Sequence, residues 1–146
     1  MSLLTDIIFV KALRSNAALM SMLPAHDVYN TTIALPDEDL DNAPVPYIIV
    51  SYDGMQNEAQ TKDGYEGETD KVQISIEVAA PTRPELGEIM ESVRETVRDF
   101  SEDIATTDED YGLVPLDYAL SAGPVSYDAD KPCYWQVLKY DCDTNL

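Results

Sequence analysis

The sequence predicts an α+β protein of two layers, an antiparallel β-sheet of about four strands with helices packed on one face. Three observations carry this. The segment "KVQISIEVA" (71–79) alternates strictly, with Val72, Ile74, Ile76 and Val78 on one side and Gln73, Ser75 and Glu77 on the other. Such alternation marks an antiparallel strand that is apolar on one face only. Directly after it, Leu86, Ile89, Met90, Val93, Val97 and Phe100 recur at helical spacing, giving an amphipathic helix with one stripe to bury against the sheet. Two further segments, "PYIIVSYD" (46–53) and "CYWQVLKYDCD" (133–143), are rich in the β-branched and aromatic residues that favour strands.

The remaining elements follow in chain order. Ser2 can cap a first helix carrying Leu3, Leu4, Ile7, Ile8, Val10, Ala12 and Leu13. "RSN" (14–16) breaks it, and "AALMSML" (17–23) supplies a short second helix capped by Asn16 and ended by Pro24. Residues 25–43 read mostly as loop, in which Val28, Tyr29 and Ile33 form a short strand or lie over the core, and the acidic "DEDLD" (37–41) is exposed. Pro44 and Pro46 open the strand at 46–53, and the Asp53–Gly54 pair closes it. The sixteen residues that follow, "MQNEAQTKDGYEGETD", read as a polar hairpin loop, and a compact domain rarely keeps one so long without a use for it.

Thr82 and Glu85 make a capping box at the start of the long helix, with Pro84 in its first turn and Gly87 weakening it by about 1 kcal/mol relative to alanine. "IATTDEDYG" (104–112) is a linker. "LVPLDYALSAG" (113–123) is a third strand with Leu116, Tyr118 and Leu120 on one face, and Pro115 places it at an edge. "PVSYDADKP" (124–132) turns the chain into the last strand. With 146 residues, 45% hydrophobic, the chain reads as one domain over 1–146, long enough to bury a core without staples.

Charge is the most unusual bulk property. Nine basic residues stand against 28 acidic ones, a net charge of −19. Such a chain is repelled by nucleic acid and by anionic membranes, whose binding depends on Lys and Arg. The surplus serves solubility, lines a negative lumen or groove, or imitates DNA. No run approaches the roughly 20 apolar residues of a membrane span. The N-terminal stretch lacks a basic leader and carries Asp6 among its apolar residues, so an intracellular protein is expected. Cys133 and Cys142 lie nine apart in one strand, roughly 30 Å at about 3.3 Å per residue, too far for a disulfide and without zinc-site spacing.

No catalytic constellation emerges. His26, the single histidine, precedes Asp27, but neighbours along a chain point apart, and an exposed loop histidine is the expectation. Glycine loops for phosphates, nucleophile elbows and His-Glu-x-x-His are absent from the sequence. The acidic run offers Asp63, Glu66, Glu68 and Asp70, yet taking Gly64 as the glycine of a calcium loop puts Ala59 and Thr61 at donor positions. No catalytic residue, cofactor or metal site is therefore assigned. Tyr134, Trp135 and Tyr140 pack on the helix or contribute to a protein interface. Stacking on RNA is discounted because only Lys131 and Lys139 accompany them.

The order of pieces resembles a known family. "LLTDIIFVKALRSNAALMSML", "VYNTTIALPDEDLDNAPVPYIIV", "VQISIEVAA" and "LGEIMESVRETVRDF" follow one another as in the tail-completion or tail-terminator proteins of long-tailed bacteriophages and prophages. The carrying residues are Leu19 to Leu23, Val28–Tyr29, Pro44 to Val50, and the passage from Val72 to Phe100, covering about the first 100 residues. The resemblance implies a non-enzymatic subunit that assembles with itself into a ring, often a hexamer, at the end of the tail tube. Its partners would be the tube and the head–tail connector, and its place the virion, reached from the host cytoplasm during assembly. Tyr65, Glu66 and Glu68 in the 54–70 loop would then be contact residues, and the acidic surplus would line a conduit for DNA. The alternative is an acidic binding protein of the DNA-mimic type that blocks a nucleic-acid-binding partner.

Overall fold

The computed structural model describes residues 5–31, 44–60, 67–107 and 117–145. In chain order the elements are α1 (Thr5–Arg14), α2 (Ala17–Ser21), β1 (Tyr29–Asn30), β2 (Tyr47–Gln60), β3 (Gly67–Ala80), α3 (Arg83–Thr107), β4 (Asp117–Ala122), β5 (Ser126–Asp128) and β6 (Cys133–Asn145). The strands form one open sheet in the order β1-β2-β3-β6-β4, with β5 also on β6. All pairings are antiparallel except the short β1–β2 contact. The expected α+β architecture is present, but with six strands where the sequence indicated about four.

The helices cover one face of this sheet, and one continuous core lies between the layers. Val72, Ile74, Ile76 and Val78 are at most 1% exposed, so the alternation in β3 is the pattern that buries. Leu86, Ile89, Met90, Val93 and Val97 of α3 close over them together with Phe9, Val10 and Leu13 of α1. Phe100 is only partly buried. Thr82 Oγ1 accepts the Glu85 amide at 3.3 Å, which satisfies an N-terminal donor of α3. Asn16 Oδ1 accepts the Leu19 amide at 3.1 Å at the start of α2, and its Nδ2 donates to Thr96 Oγ1 at 2.9 Å. One side chain thereby caps α2 and ties it to α3.

Three expectations need correction. The long polar run after Gly54 is not a loop: β2 continues to Gln60 and pairs with β3 from Gly67 onward, leaving only residues 61–66 between the strands. The register shifts between Tyr52 and Gly54, and Gly54 has φ +146°. Asp53–Gly54 is therefore a bulge that lets the strand run on, not its end. Residues 55–60 carry no apolar alternation, and their place in the sheet is the backbone ladder with β3. Second, α3 extends to Thr107, into the segment read as linker. Third, β5 makes a short hairpin with β6 within the segment read as a turn. The expectations for Ser2, Leu3, Leu4, Ile33, residues 37–41, Pro115 and Leu116 lie outside the described residues.

Asp6, noted in the sequence as a charge within an apolar stretch, is 3% exposed. It accepts a hydrogen bond from Asn30 Nδ2 at 3.2 Å, linking the first turn of α1 to β1. Asp70, read as part of an acidic loop, is 5% exposed. It sits on the core face of β3, two residues before Val72 in the alternation.

Candidate interaction surface

Strand alternation gives the sheet a second face, on which none of the described helices packs. Its composition follows from the register. The first row across β2, β3 and β6 is Tyr47, Ala79 and Trp135. The next is Ile49, Glu77 and Val137, then Ser51, Ser75 and Lys139, then Gly54, Gln73 and Asp141. The face grades from aromatic and aliphatic at one end to charged at the other. Trp135, Val137, Tyr47 and Ile49 are partly exposed, while Lys139, Asp141, Lys71, Gln73 and Asp53 are exposed.

The apolar end is held in place by polar contacts. Tyr47 donates its hydroxyl proton to Glu77 Oε2 at 3.1 Å, and Lys131 Nζ lies 5.0 Å from the centre of the Tyr47 ring, a cation–π arrangement. Burial, reinforced by the Glu77 carboxylate, pushes the Tyr47 phenol above its usual range, so it stays a hydrogen-bond donor. Gln136 Nε2 donates to the Gly123 carbonyl at 2.8 Å and braces the β4–β5 connection against β6. Cys133 opens β6 on this face and is buried, while Cys142 lies on the core face. Their odd separation places them on opposite sides, and both are free thiols. Burial, with Asp128 adding, raises the Cys133 thiol, which leaves it protonated and unreactive at neutral pH.

At the charged end the face hollows into an open groove of about 630 Å³, lined by Asp53, Gly54, Gln56, Lys71, Gln73 and Asp141 among others. The Ser75 hydroxyl is hydrogen-bonded to Asp53 across β2 and β3. Asp53, the extra residue at the register shift of β2, lines this hollow with Gly54. Met55, Tyr118 and Ala119 line it beside these polar groups.

The residues singled out in the sequence are distributed unevenly. Trp135 is on the open face, whereas Tyr140 is 1% exposed in the core between Phe9 and Tyr118, each ring centre 5.2 Å away. Tyr134 packs against the core and against Tyr127 at 5.0 Å. Tyr65 and Glu66 lie outside the described residues; Glu68 is placed by its backbone alone, opposite Ala59 in the β2–β3 hairpin. His26 is exposed, at φ 52°, with Nδ1 3.3 Å from the Met20 carbonyl. Asp27 turns instead to Arg14, with 2.5 Å between Nε and Oδ1, so the two make no dyad. Among the described residues no helix is long and apolar enough to cross a membrane, and no three His, Cys, Asp or Glu residues are grouped to hold a metal ion. What sequence reasoning missed is the open face itself. Tyr47, Ile49 and Val137 looked like ordinary strand residues, and only the assignment of every helix to the opposite side leaves them uncovered.

Comparison with known proteins places these features in context. The profile of a family described as Tail completion protein gp17 matches residues 9–114. Among solved structures, the fold is similar to that of a chain described as "Virion of native gene transfer agent (GTA) particle". The match has a TM-score of 0.53 and 16% identity, covering 97% of this chain and 94% of that one. At that identity the likeness is one of fold. No curated protein sequence matches the chain.

Proposed function

The chain belongs to the tail completion protein gp17 family, whose role is structural, and from that premise we propose that it closes the end of a phage-type tail by assembling with itself into a ring. The observation that carries this reading is the family match across residues 9–114. It spans the second half of α1, α2, the β2–β3 hairpin and α3. On this reading the protein acts by assembly and not by turnover, each subunit being a single α+β domain of a ring of about six. Its neighbours are the tail tube on one side and the head–tail connector on the other. It resides in the virion after assembly in the host cytoplasm.

The β2–β3 hairpin supports a projecting contact. β2 and β3 are paired from Tyr47–Ala79 to Gln60–Gly67, with β6 alongside β3 as far as Thr69, and a paired end presents its tip with less entropy to lose on docking than a floppy loop would. Tyr65, Glu66 and Glu68 are the proposed contact residues at that tip. The net charge of −19 suits a conduit through which a polyanion slides without adhering.

The test is to mix the purified protein with its cognate tube protein and image the product. Density at one end of each tube, with a central opening, is the expected result. Bare tube ends at every mixing ratio, with a light-scattering mass of one chain throughout, would refute the reading.

A further inference from the structure

Resting on the ring reading, we propose that the sheet is extended edge to edge by a second copy of this chain, β4 of one copy pairing antiparallel with the outer edge of β2 of the next. The two ends of the sheet carry the argument. β4 has β6 on one side only. The Gly123 amide donates to the Val137 carbonyl at 2.9 Å, in the same register as the pairs Ser121–Lys139, Ala119–Asp141 and Asp117–Asp143. Antiparallel partners that exchange hydrogen bonds alternate with partners that do not, so the amides and carbonyls of Tyr118, Leu120 and Ala122 point away from β6. No described strand meets them. At the other end, β1 pairs with β2 only at Ile49 and Val50, and the last described bond on that side runs from the Thr31 amide to the Val50 carbonyl. β2 nevertheless continues to Gln60, so its outer edge beyond that bond is unmatched among the described residues.

An edge strand that meets nothing is usually blunted by lysine, proline or a bulge. Tyr118 to Ala122 carries neither charge nor proline, and Pro124 follows only after β4 has ended. One partner of the contact is thereby free of the charge that makes copies of a −19 chain repel one another. Strand direction selects the occupant. β2 runs antiparallel to β3, β3 to β6 and β6 to β4, so β4 runs opposite to β2. A copy rotated about an axis along the strands therefore brings its β2 antiparallel to β4, with its helices on the same side of the joined sheet. One operation satisfies both edges, whereas a strand from a different protein would satisfy one and leave the other. The contact joins two different surfaces, and such heterologous contacts form rings when the rotation closes.

The experiment follows light-scattering mass and backbone amide exchange, read by mass spectrometry, over a range of protein concentrations. The expected result is a rise in mass with slower exchange at 117–122 and 52–60, and unchanged exchange in α3. A second arm uses Ala122→Pro, which removes an outward amide and leaves the ladder to β6 in place. Its thermal melt should stay close to that of the wild type, while assembly needs roughly tenfold more protein. Should that variant unfold, exchange in the wild type decides alone. An oligomer that exchanges at both edges as fast as the single chain leaves the ring standing and overturns edge pairing as its contact. A folded Ala122→Pro chain that assembles as readily as the wild type overturns it likewise. A single-chain mass at every concentration overturns the proposal together with the self-assembly on which it rests.

Discussion

Replacing Tyr140 by phenylalanine should stabilise the protein, which is unusual for a core substitution. The ring of Tyr140 is 1% exposed and packs against Phe9 and Tyr118 at 5.2 Å each, contacts that phenylalanine keeps. Its hydroxyl is buried and has no hydrogen-bond partner among the described residues. A buried, unsatisfied polar group costs about 1–3 kcal/mol, so its removal should return about 1 kcal/mol, or roughly 2–4 °C in Tm for a chain of this size. A second signature is independent of packing. Burial, with Tyr118 adding and Arg94 opposing, raises the Tyr140 phenol above the usual value near 10. Below that value folded and unfolded chains both keep the proton, and stability is complete. As pH rises past it the unfolded chain releases the proton and the folded chain does not. Stability then falls by about 1.4 kcal/mol per pH unit for each such phenol. Urea unfolding followed by circular dichroism, at pH 7 and between pH 9.5 and 11, measures both effects. The variant should be more stable at pH 7 and decline less steeply on the alkaline side, where Tyr47 and Tyr52 still contribute. A loss of about 1 kcal/mol at pH 7, with an unchanged alkaline slope, would show that the hydroxyl is bonded in the fold and refute the reasoning.

Three further substitutions test single features of the fold. Gly87→Ala lies on the exposed side of α3, where an added Cβ meets nothing within 4 Å; thermal melts should show a gain of about 1 kcal/mol. Gly54→Ala meets no neighbour either, yet its φ of +146° strains any side chain. A loss of about 1–2 kcal/mol in denaturant unfolding is expected, and neutrality would mean the bulge tolerates another geometry. Asn16→Ala removes both the α2 cap and the bond to Thr96, costing about 1–2 kcal/mol. Asn16→Asp, which keeps the cap and loses the donated bond, should recover part of that loss in the same assay.

Legibility in the sequence followed burial. β3 and α3 were read correctly because each presents one apolar stripe at a fixed period, 2 in the strand and 3.6 in the helix. Asn16 and Thr82 were legible as caps because a cap acts over three residues of the same chain. The second half of β2 and the last turn of α3 were not, because "MQNEAQ" and "ATT" carry no apolar period. The second half of β2 is held by its ladder with β3. The parallel β1 strand is two residues long and exists only where Tyr29 and Asn30 meet Ile49 and Val50.

Alone, then, the sequence determined the α+β class, the central strands, the long helix, the free cysteines and the family resemblance. All of these rest on local periodicity, spacing or composition. The tertiary structure decided the rest. It turned Asp53–Gly54 from a terminator into a bulge, and it drew Asp6 and Asp70 into the interior. It also sent Tyr140 to the core while leaving Trp135, five residues earlier on the same strand, on the opposite face. The open face is of this second kind: its rows join residues from positions 47 to 141, and which side of a sheet stays uncovered depends on where the helices pack, a choice that no single segment encodes.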